Sequence, residues 1–133
     1  MGNGGYYFCR QCGFRSEEIS FGVGFLGAPN NPSVREDILR GKYGPRPRKV
    51  LEENPDTVFQ CYCQAFRCTC GHFSSKGAVR IVSAEGKALY SPTMTCNVCG
   101  KRMRALEKIP GIEQCPRCDS IYPMEFRDTI LWD

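Results

Sequence analysis

The spacing of the cysteines constrains this chain more than any other feature of its sequence. Cys96 and Cys99 form one Cys-x-x-Cys motif, Cys115 and Cys118 form another, and fifteen residues lie between the two motifs. Two such motifs at this separation are typical of a tetrahedral site made of four thiolates. The sequence therefore predicts a first metal site at Cys96, Cys99, Cys115 and Cys118.

The residues around these motifs predict how they meet. Gly100 directly follows a cysteine, at a turn position that often needs a positive φ, which glycine adopts at little cost. Residues 103–109 alternate imperfectly and Pro110-Gly111 is a turn signal, so we expect a β-hairpin that returns the second motif to the first. The segment resembles the zinc ribbon, whose knuckles are similar to those of rubredoxins. This resemblance implies the same four cysteines as ligands.

A second site is predicted from a third motif, Cys9 to Cys12, which is also followed by glycine. Its two thiolates need two more ligands from farther along the chain. Cys68 and Cys70 are favoured, because Gly71 follows Cys70 in the same way. Cys61 and Cys63, two residues apart on a predicted strand, are interpreted as core residues, since free cysteine behaves as a small hydrophobe. The alternative ligands for the second site are His72, Cys61 and Cys63.

Composition places these thiols in a reducing setting. The chain has ten cysteines in 133 residues, and its first residues, Met1 to Gly5, have neither a basic nor an apolar signal segment. We therefore expect a cytoplasmic protein with two Zn²⁺ ions per chain rather than a disulfide framework. Iron is a second option for the metal, because four sulfurs serve both ions.

The expected fold class is a small, metal-stapled α+β protein made of zinc-ribbon-like antiparallel hairpins with a short helical insertion. Its predicted domains are an N-terminal zinc-knuckle domain at 1–95, with the insertion at about 30–55, and a C-terminal zinc ribbon at 96–133. In the insertion, Ser33 is the expected N-cap of a first helix, in a capping box with Glu36. A second helix is expected to begin between Pro45 and Pro47 and to stop before Asn54-Pro55-Asp56.

The rest of the chain predicts strands and connectors. Strands are expected at 78–82 and 88–90, and the tail at 121–132 is expected to add a ribbon strand and to pack Trp132 on the core. The glycine-rich stretch at 21–27 lacks the Gly-Lys-Ser/Thr ending of a phosphate loop, so a turn-rich connector is expected there.

The formal charge of +4 is confined to residues 35–49 and the rest of the chain is balanced. Two Zn²⁺ ions, each held by four thiolates, would bring the total to zero, so general attraction to phosphate is not expected. Local contacts remain a hypothesis for this patch and for a second basic group on the predicted ribbon hairpin. The candidate nucleic-acid contacts are Arg35, Arg40, Lys42, Arg46, Arg48, Lys49, Lys101, Arg102 and Arg104.

Taken as a whole, the chain resembles small double-zinc-ribbon proteins of unknown function found in bacterial genomes. The resemblance rests on the Cys-x-x-Cys-Gly start, an insertion containing Gly41-Lys42-Tyr43-Gly44, a middle cysteine cluster and a terminal ribbon ending in Trp132-Asp133. It implies a fold but no activity.

Three classes of function were weighed. An enzyme is not expected, because a catalytic zinc keeps an open position that four sulfurs would fill, and the chain has one histidine and no His-x-Glu deaminase pattern. A zinc-binding structural or interaction module with a protein or nucleic-acid partner is favoured, with no membrane and no small-molecule substrate. The alternative is a rubredoxin-like iron electron-transfer or thiol-redox protein, suggested by the knuckles and by Cys115-Pro116-Arg117-Cys118.

Overall fold

The computed structural model describes residues 2–23, 27–107, 109–118 and 120–132, and for residues 130–132 it describes the backbone only. Over these residues the chain is mostly antiparallel sheet with two short helices. In chain order the elements are β1 (Gly2–Phe8), β2 (Ile19–Gly22), α1 (Pro32–Leu39), α2 (Pro45–Glu53), β3 (Thr57–Arg67), β4 (Phe73–Ser83), β5 (Ala88–Tyr90), β6 (Arg104–Ala105) and β7 (Glu125–Trp132). The hydrogen-bonded order of the strands is β5-β4-β3-β2-β1-β7, and β6 pairs with β3.

The chain divides into two compact units. Unit 1 consists of Met1–Gly22, Cys63–Lys76 and Thr93–Asp133, and unit 2 consists of Val23–Tyr62 and Gly77–Pro92. The predicted boundary between residues 95 and 96 does not coincide with this division. The reason is that β1 and β7, from the two ends of the chain, are paired within unit 1.

The pairing of β1 with β7 is the main long-range feature of unit 1. It is antiparallel, runs from Gly2 opposite Trp132 to Phe8 opposite Glu125, and shifts register between Gly4 and Gly5. A Cβ at Gly5 would overlap the carbonyl group of Arg127, so only glycine fits this close approach of the two backbones.

Side chains on one face of this pair form the core of unit 1. Tyr7 is 1% exposed, and its ring packs edge-on against that of Phe126 and at a tilt against that of Phe73. Ile19 and Phe21, on the same face of β2, are also buried. The buried cysteines 9 and 115 belong to this cluster, so the core is continuous with the cysteine motifs.

Unit 2 contains the predicted helical insertion. Val34 and Ile38 lie one turn apart on α1 and are both buried, as is Leu51 of α2. They pack with residues of β3 and β4 in one cluster, whose strand members are Phe59, Val79 and Ile81.

The helix boundaries confirm the expected second helix and correct the cap of the first. Asn31, not Ser33, is the N-cap of α1, and its side-chain oxygen accepts the Ser33 N–H at 2.9 Å. Pro32 then takes the first helical position, where its missing N–H leaves nothing unsatisfied. The second helix, α2, ends at Glu53 with Asn54 as C-cap.

Two expectations for the C-terminal third differ from the structure. Between the last two cysteine motifs, the described residues form only the short strand β6, which pairs with β3, so the predicted hairpin is not formed there. The tail does form a strand, but this strand pairs with β1 and not with a ribbon strand. The expected packing of Trp132 lies outside the described side chains, as does the part of the glycine-rich connector at 24–26.

Candidate metal centres

Eight cysteines of unit 1 form two groups of four. We call the first group site A, made of Cys9, Cys12, Cys115 and Cys118, and the second group site B, made of Cys68, Cys70, Cys96 and Cys99. Within each group all sulfur atoms lie within 4.8 Å of one another. Either group could hold a metal ion.

The pairing of the motifs corrects the sequence prediction. All eight predicted ligands lie in one of the two groups, but the motif at 96–99 does not join the motif at 115–118. Instead the motif at 115–118 joins the first motif of the chain, and the motif at 96–99 joins Cys68 and Cys70. The cysteines of site B are therefore nested in sequence between the two motifs of site A.

Strand pairing explains this nesting. Phe8 ends β1 opposite Glu125 at the start of β7, which brings the motif after β1 near the motif before β7. At site B, Arg67 at the end of β3 pairs with Arg104 of β6, and an isolated bridge joins Thr95 to Arg102. These contacts bring the motif at 96–99 next to Cys68.

In three of the four motifs the local turn follows from the glycine after the second cysteine. Gly13, Gly71 and Gly100 have φ values of 79°, 95° and 80°. Each donates its N–H to the carbonyl of a preceding cysteine, at 2.8 Å to Cys9, 3.0 Å to Cys68 and 2.9 Å to Cys96. The positive φ expected at Gly100 is confirmed, and the shorter Cys-x-Cys motif at Cys68 closes with the same kind of turn.

The turns also direct backbone N–H groups at sulfur. The N–H of Val98 donates to Cys96 Sγ and the N–H of Arg117 donates to Cys115 Sγ, both at 3.4 Å. Hydrogen bonds of this kind stabilise a thiolate, because they place a positive partial charge beside it.

The sulfur separations fit a tetrahedral ion. In site A, Cys9 Sγ lies 3.6 Å from Cys118 Sγ, and Cys12 Sγ lies 3.6 Å from Cys115 Sγ. In site B the corresponding distances are 3.2 Å between Cys68 and Cys99 and 3.7 Å between Cys70 and Cys96. A metal–sulfur bond of about 2.3 Å requires sulfurs about 3.8 Å apart at the corners of a tetrahedron. The donor set and the spacing therefore suit Zn²⁺.

The pKa values of the metal-free thiols show why a cation belongs in these groups. Hydrogen bonds from backbone N–H groups, first of all that of Cys70, lower the pKa of Cys68 to about 6, and those of Cys12 and others lower the pKa of Cys9 to about 7. The backbone N–H of His72 lowers the pKa of Cys70, but burial and the neighbouring thiols together raise it to about 12.

Cys118 in site A behaves in the same way as Cys70. The backbone N–H of Ser120 lowers its pKa, whereas burial and the three neighbouring thiols raise it to about 12. One thiol in each group ionises readily and another resists, because negative charges accumulate in a small volume. A bound dication would relieve that repulsion.

The two sites lie beside each other within unit 1. A Cβ at Gly71, in the site B turn, would lie 3.0 Å from the Cβ of Pro116, which belongs to a site A motif. Nearby, the carboxylate of Glu113 is 9% exposed and accepts from Arg67 at 2.9 Å and from Arg104 at 2.7 Å. This ion-pair network attaches the segment before Cys115 to β3 and β6, and no sequence motif predicts it.

The three alternative ligands belong to neither group. His72 Nδ1 lies 3.2 Å from Glu17, whose other carboxylate oxygen accepts the N–H of Phe73. Cys61 is half-buried against the core of unit 2, and burial raises its pKa. Cys63 is half-buried on β3. The expectation that Cys68 and Cys70 complete the site of Cys9 and Cys12 is wrong: among the described residues they group with Cys96 and Cys99.

The basic contact candidates of residues 35–49 lie in unit 2, and most have acidic neighbours. Ion pairs join Arg40 to Glu36 and Arg48 to Glu52, each one helical turn away. Two further pairs are Lys42–Asp37 and Lys49–Glu53. The positive charge of this patch is therefore largely offset locally.

The second basic group lies in unit 1 close to site B. Lys101, Arg102 and Arg104 are all exposed. The two arginines line a cavity of about 290 Å³, together with Arg67, Cys68 and Thr69.

No protein-family model, curated protein or solved structure matches this chain. Neither helix in the described part of the chain is long and apolar enough to cross a membrane.

Proposed function

We propose that this protein is a zinc-binding interaction module in which two structural Zn²⁺ ions, one in each group of four cysteines, hold unit 1 together. The observation that carries the proposal is the convergence of eight cysteines from separate parts of the chain into two compact four-sulfur groups. In a reducing compartment such a grouping has one common explanation, which is a tetrahedral metal ion.

The donor set favours a structural role over a catalytic one. A zinc ion bound by four thiolates has no open position for water or substrate, whereas hydrolytic and deaminating zinc ions have three protein ligands. Metal binding contributes about 10 kcal/mol or more to the folding of small zinc domains. That contribution would explain how unit 1 is stabilised although long connecting segments separate its short strands. The glycine turns after the motifs support the likeness to zinc ribbons at the level of the knuckles.

The partner in this proposal is a macromolecule, either nucleic acid or protein, in the cytoplasm. Small zinc domains of this kind commonly present loops and strand faces to such partners. Of the two basic groups predicted from the sequence, the one at Lys101, Arg102 and Arg104 has the stronger support, because it adjoins a cavity, whereas the patch at 35–49 is offset by ion pairs.

Metal analysis tests the proposal directly. The protein is purified without added metal, its metal content is measured by mass spectrometry, and its visible spectrum is recorded. We expect two zinc ions per chain and no colour, and we expect a chelator that removes them to lower the melting temperature. A metal-free chain with an unchanged melting temperature would contradict the proposal.

The exposure of several site cysteines supports a second candidate function. Cys12, Cys70 and Cys99 are all exposed, so an iron ion in either site would lie close to the surface, where electrons could reach it. Solvent exposure and hydrogen bonds to sulfur set the potential of such sites. One or two iron ions per chain with a red chromophore would favour this rubredoxin-like electron carrier over the interaction module.

A further inference from the structure

Tyr6 and Phe8 lie on the face of β1 opposite to the buried Tyr7, because successive side chains of a strand point to opposite sides of the sheet. Both are half-buried. Each is covered by an arginine: the Arg15 guanidinium lies 3.9 Å from the centre of the Tyr6 ring, and that of Arg127 lies 3.9 Å from the centre of the Phe8 ring. Arginine and aromatic side chains therefore alternate on this surface, which we call the outer β1–β7 face.

Strand register holds these side chains together. Tyr6 is directly opposite Arg127 and Phe8 is directly opposite Glu125 in the antiparallel pair. An isolated bridge between Phe8 and Arg15 fixes the third segment beside β1. The guanidinium groups are thus carried by paired backbone and not by long free loops, which reduces the entropy lost when a partner binds.

The outer β1–β7 face carries a net positive charge. Glu125 is its acidic member, and its two carboxylate oxygens accept from Arg127 Nε at 2.6 Å and from Arg10 Nε at 2.9 Å. The hydrogen bond from Arg127 and the charge of Arg10 lower the pKa of Glu125, so this carboxylate is ionised at neutral pH. Three arginines then face this one carboxylate, which leaves an excess of positive charge on these four residues.

We propose that the outer β1–β7 face binds single-stranded nucleic acid, with bases stacked on the guanidinium planes of Arg15 and Arg127 and with Arg10 close to the phosphates. This inference rests on the proposed interaction module and names its partner. Bases stack on aromatic rings and on arginine planes alike, and such stacking is the usual mode of single-strand recognition.

Stacking on Arg15 and Arg127 selects single strands, because a base can stack on a side chain only where one of its faces is free. In a duplex both faces of each internal base are covered by the neighbouring base pairs, about 3.4 Å away along the axis. The bases of a single strand can unstack and lie on such planes.

Fluorescence anisotropy with labelled twelve-nucleotide oligonucleotides tests the inference on the full, metal-loaded chain. The probes are polyuridine RNA, polythymidine DNA and a duplex of mixed sequence, each at about 25 and 200 mM salt. We expect binding of at least one single strand, with affinity that falls as salt rises, and weaker binding of the duplex. RNA and DNA share the stacking chemistry, so their ratio identifies the natural strand.

Substitutions separate stacking from charge. Arg15→Gln and Arg127→Gln should each weaken single-strand binding about fivefold or more. Arg127→Lys should weaken it nearly as much, because lysine keeps the positive charge but lacks the planar guanidinium group on which a base stacks. The matched control is Arg80→Gln, which removes an exposed arginine of β4 that belongs to neither basic group and should change the affinity less than about twofold.

Three results would overturn the inference: no single-strand binding at low salt, equal losses in Arg15→Gln and Arg80→Gln, or full binding by Arg127→Lys. Metal content and melting temperature are measured on the same preparations. If both stay at the wild-type values while no oligonucleotide binds, the face has been assigned wrongly and the metal-binding proposal is unaffected. A chain without metal would instead contradict the proposed module itself.

Discussion

At the scale of single residues, two separate features of the structure favour glycine at position 71. Its φ is 95°, and a Cβ there would meet the Cβ of Pro116 at 3.0 Å and its Cγ at 3.2 Å. A side chain at this position would therefore be strained by the left-handed backbone conformation. It would also press against Pro116 in the motif at 115–118. We expect Gly71→Ala to lower the free energy of unfolding by about 2 kcal/mol or more.

Gly100→Ala is the matched control for this substitution. Gly100 occupies the equivalent turn position with φ 80°, but nothing lies within 4 Å of its added Cβ. Its cost should be the backbone term alone, about 1 kcal/mol. Urea unfolding of the two metal-loaded variants measures the difference. Equal losses would mean that the close contact with Pro116 does not affect stability.

A second residue-scale prediction concerns the buried carboxylate of Glu113. Glu113→Gln removes the negative charge that Arg67 and Arg104 share, and Arg67 is itself mostly buried, at 15% exposed. The variant should lose about 2 kcal/mol in the free energy of unfolding, because a largely buried guanidinium is left without a counter-ion.

Glu52→Gln removes a carboxylate of similar type from an exposed ion pair with Arg48 on α2. Its effect on unfolding should stay below about 0.5 kcal/mol. Thermal or urea unfolding of both variants gives the comparison. If Glu113→Gln were as mild as this control, the ion-pair network before Cys115 would not stabilise unit 1.

At the scale of elements, the pairing of β1 with β7 decides which cysteine motifs share a metal. This gives a prediction from double variants. In the chain with Cys9→Ser and Cys115→Ser, both changes fall in site A, so one metal ion per chain should remain. In the chain with Cys96→Ser and Cys115→Ser, one change falls in each site, so both ions should be lost or weakly held.

Metal content by mass spectrometry after gel filtration measures both double variants, with each single variant as the control. Pairing by sequence proximity, with the motifs at 96–99 and 115–118 in one site, requires the opposite pattern. One retained ion in the second double variant and none in the first would therefore refute the nested arrangement.

The helices and short strands could be predicted from the sequence because the signals that start and stop them lie in neighbouring residues. The second helix was predicted from Pro45 and the Asn54-Pro55 stop, and the structure has it at Pro45–Glu53. The first helix was predicted with the wrong cap, since Ser33 and Asn31 are both good N-caps and Pro32 between them decides in favour of Asn31. The expected strands at 78–82 and 88–90 are present within β4 and as β5.

At the scale of the whole molecule, proton release couples metal binding to pH. In the metal-free protein the pKa values of Cys70 and Cys118 are raised to about 12, so both thiols are protonated at neutral pH and each must lose its proton when a metal ion binds. The metal affinity of each site should therefore fall by about tenfold or more for every pH unit of acidification.

A colorimetric chelator in competition with the protein measures this affinity at several pH values between 6 and 8. We expect the fraction of metal transferred to the chelator to increase as the pH is lowered, after correction for protonation of the chelator itself. An affinity independent of pH would mean that all four thiols of each group are already ionised, against the raised pKa values.

The sequence by itself favoured the eight thiols that form the two groups, with His72, Cys61 and Cys63 as alternatives, and indicated a glycine turn after three of the four motifs. These are local properties, because the short spacing of two cysteines and a following glycine set the turn, whichever motif completes the site.

Only the tertiary structure decided which motifs combine. Cys115 is closer in sequence to Cys99 than to Cys12, yet it shares a site with Cys12. The cost of closing a longer loop grows slowly with its length, so a small advantage of short separation is easily outweighed by the strand pairing of β1 with β7 and by the core that this pairing buries. All four motifs offer the same thiolate ligands, so their sequences do not indicate which two share a metal ion. The strand pairing that positions the motifs decides which of them combine.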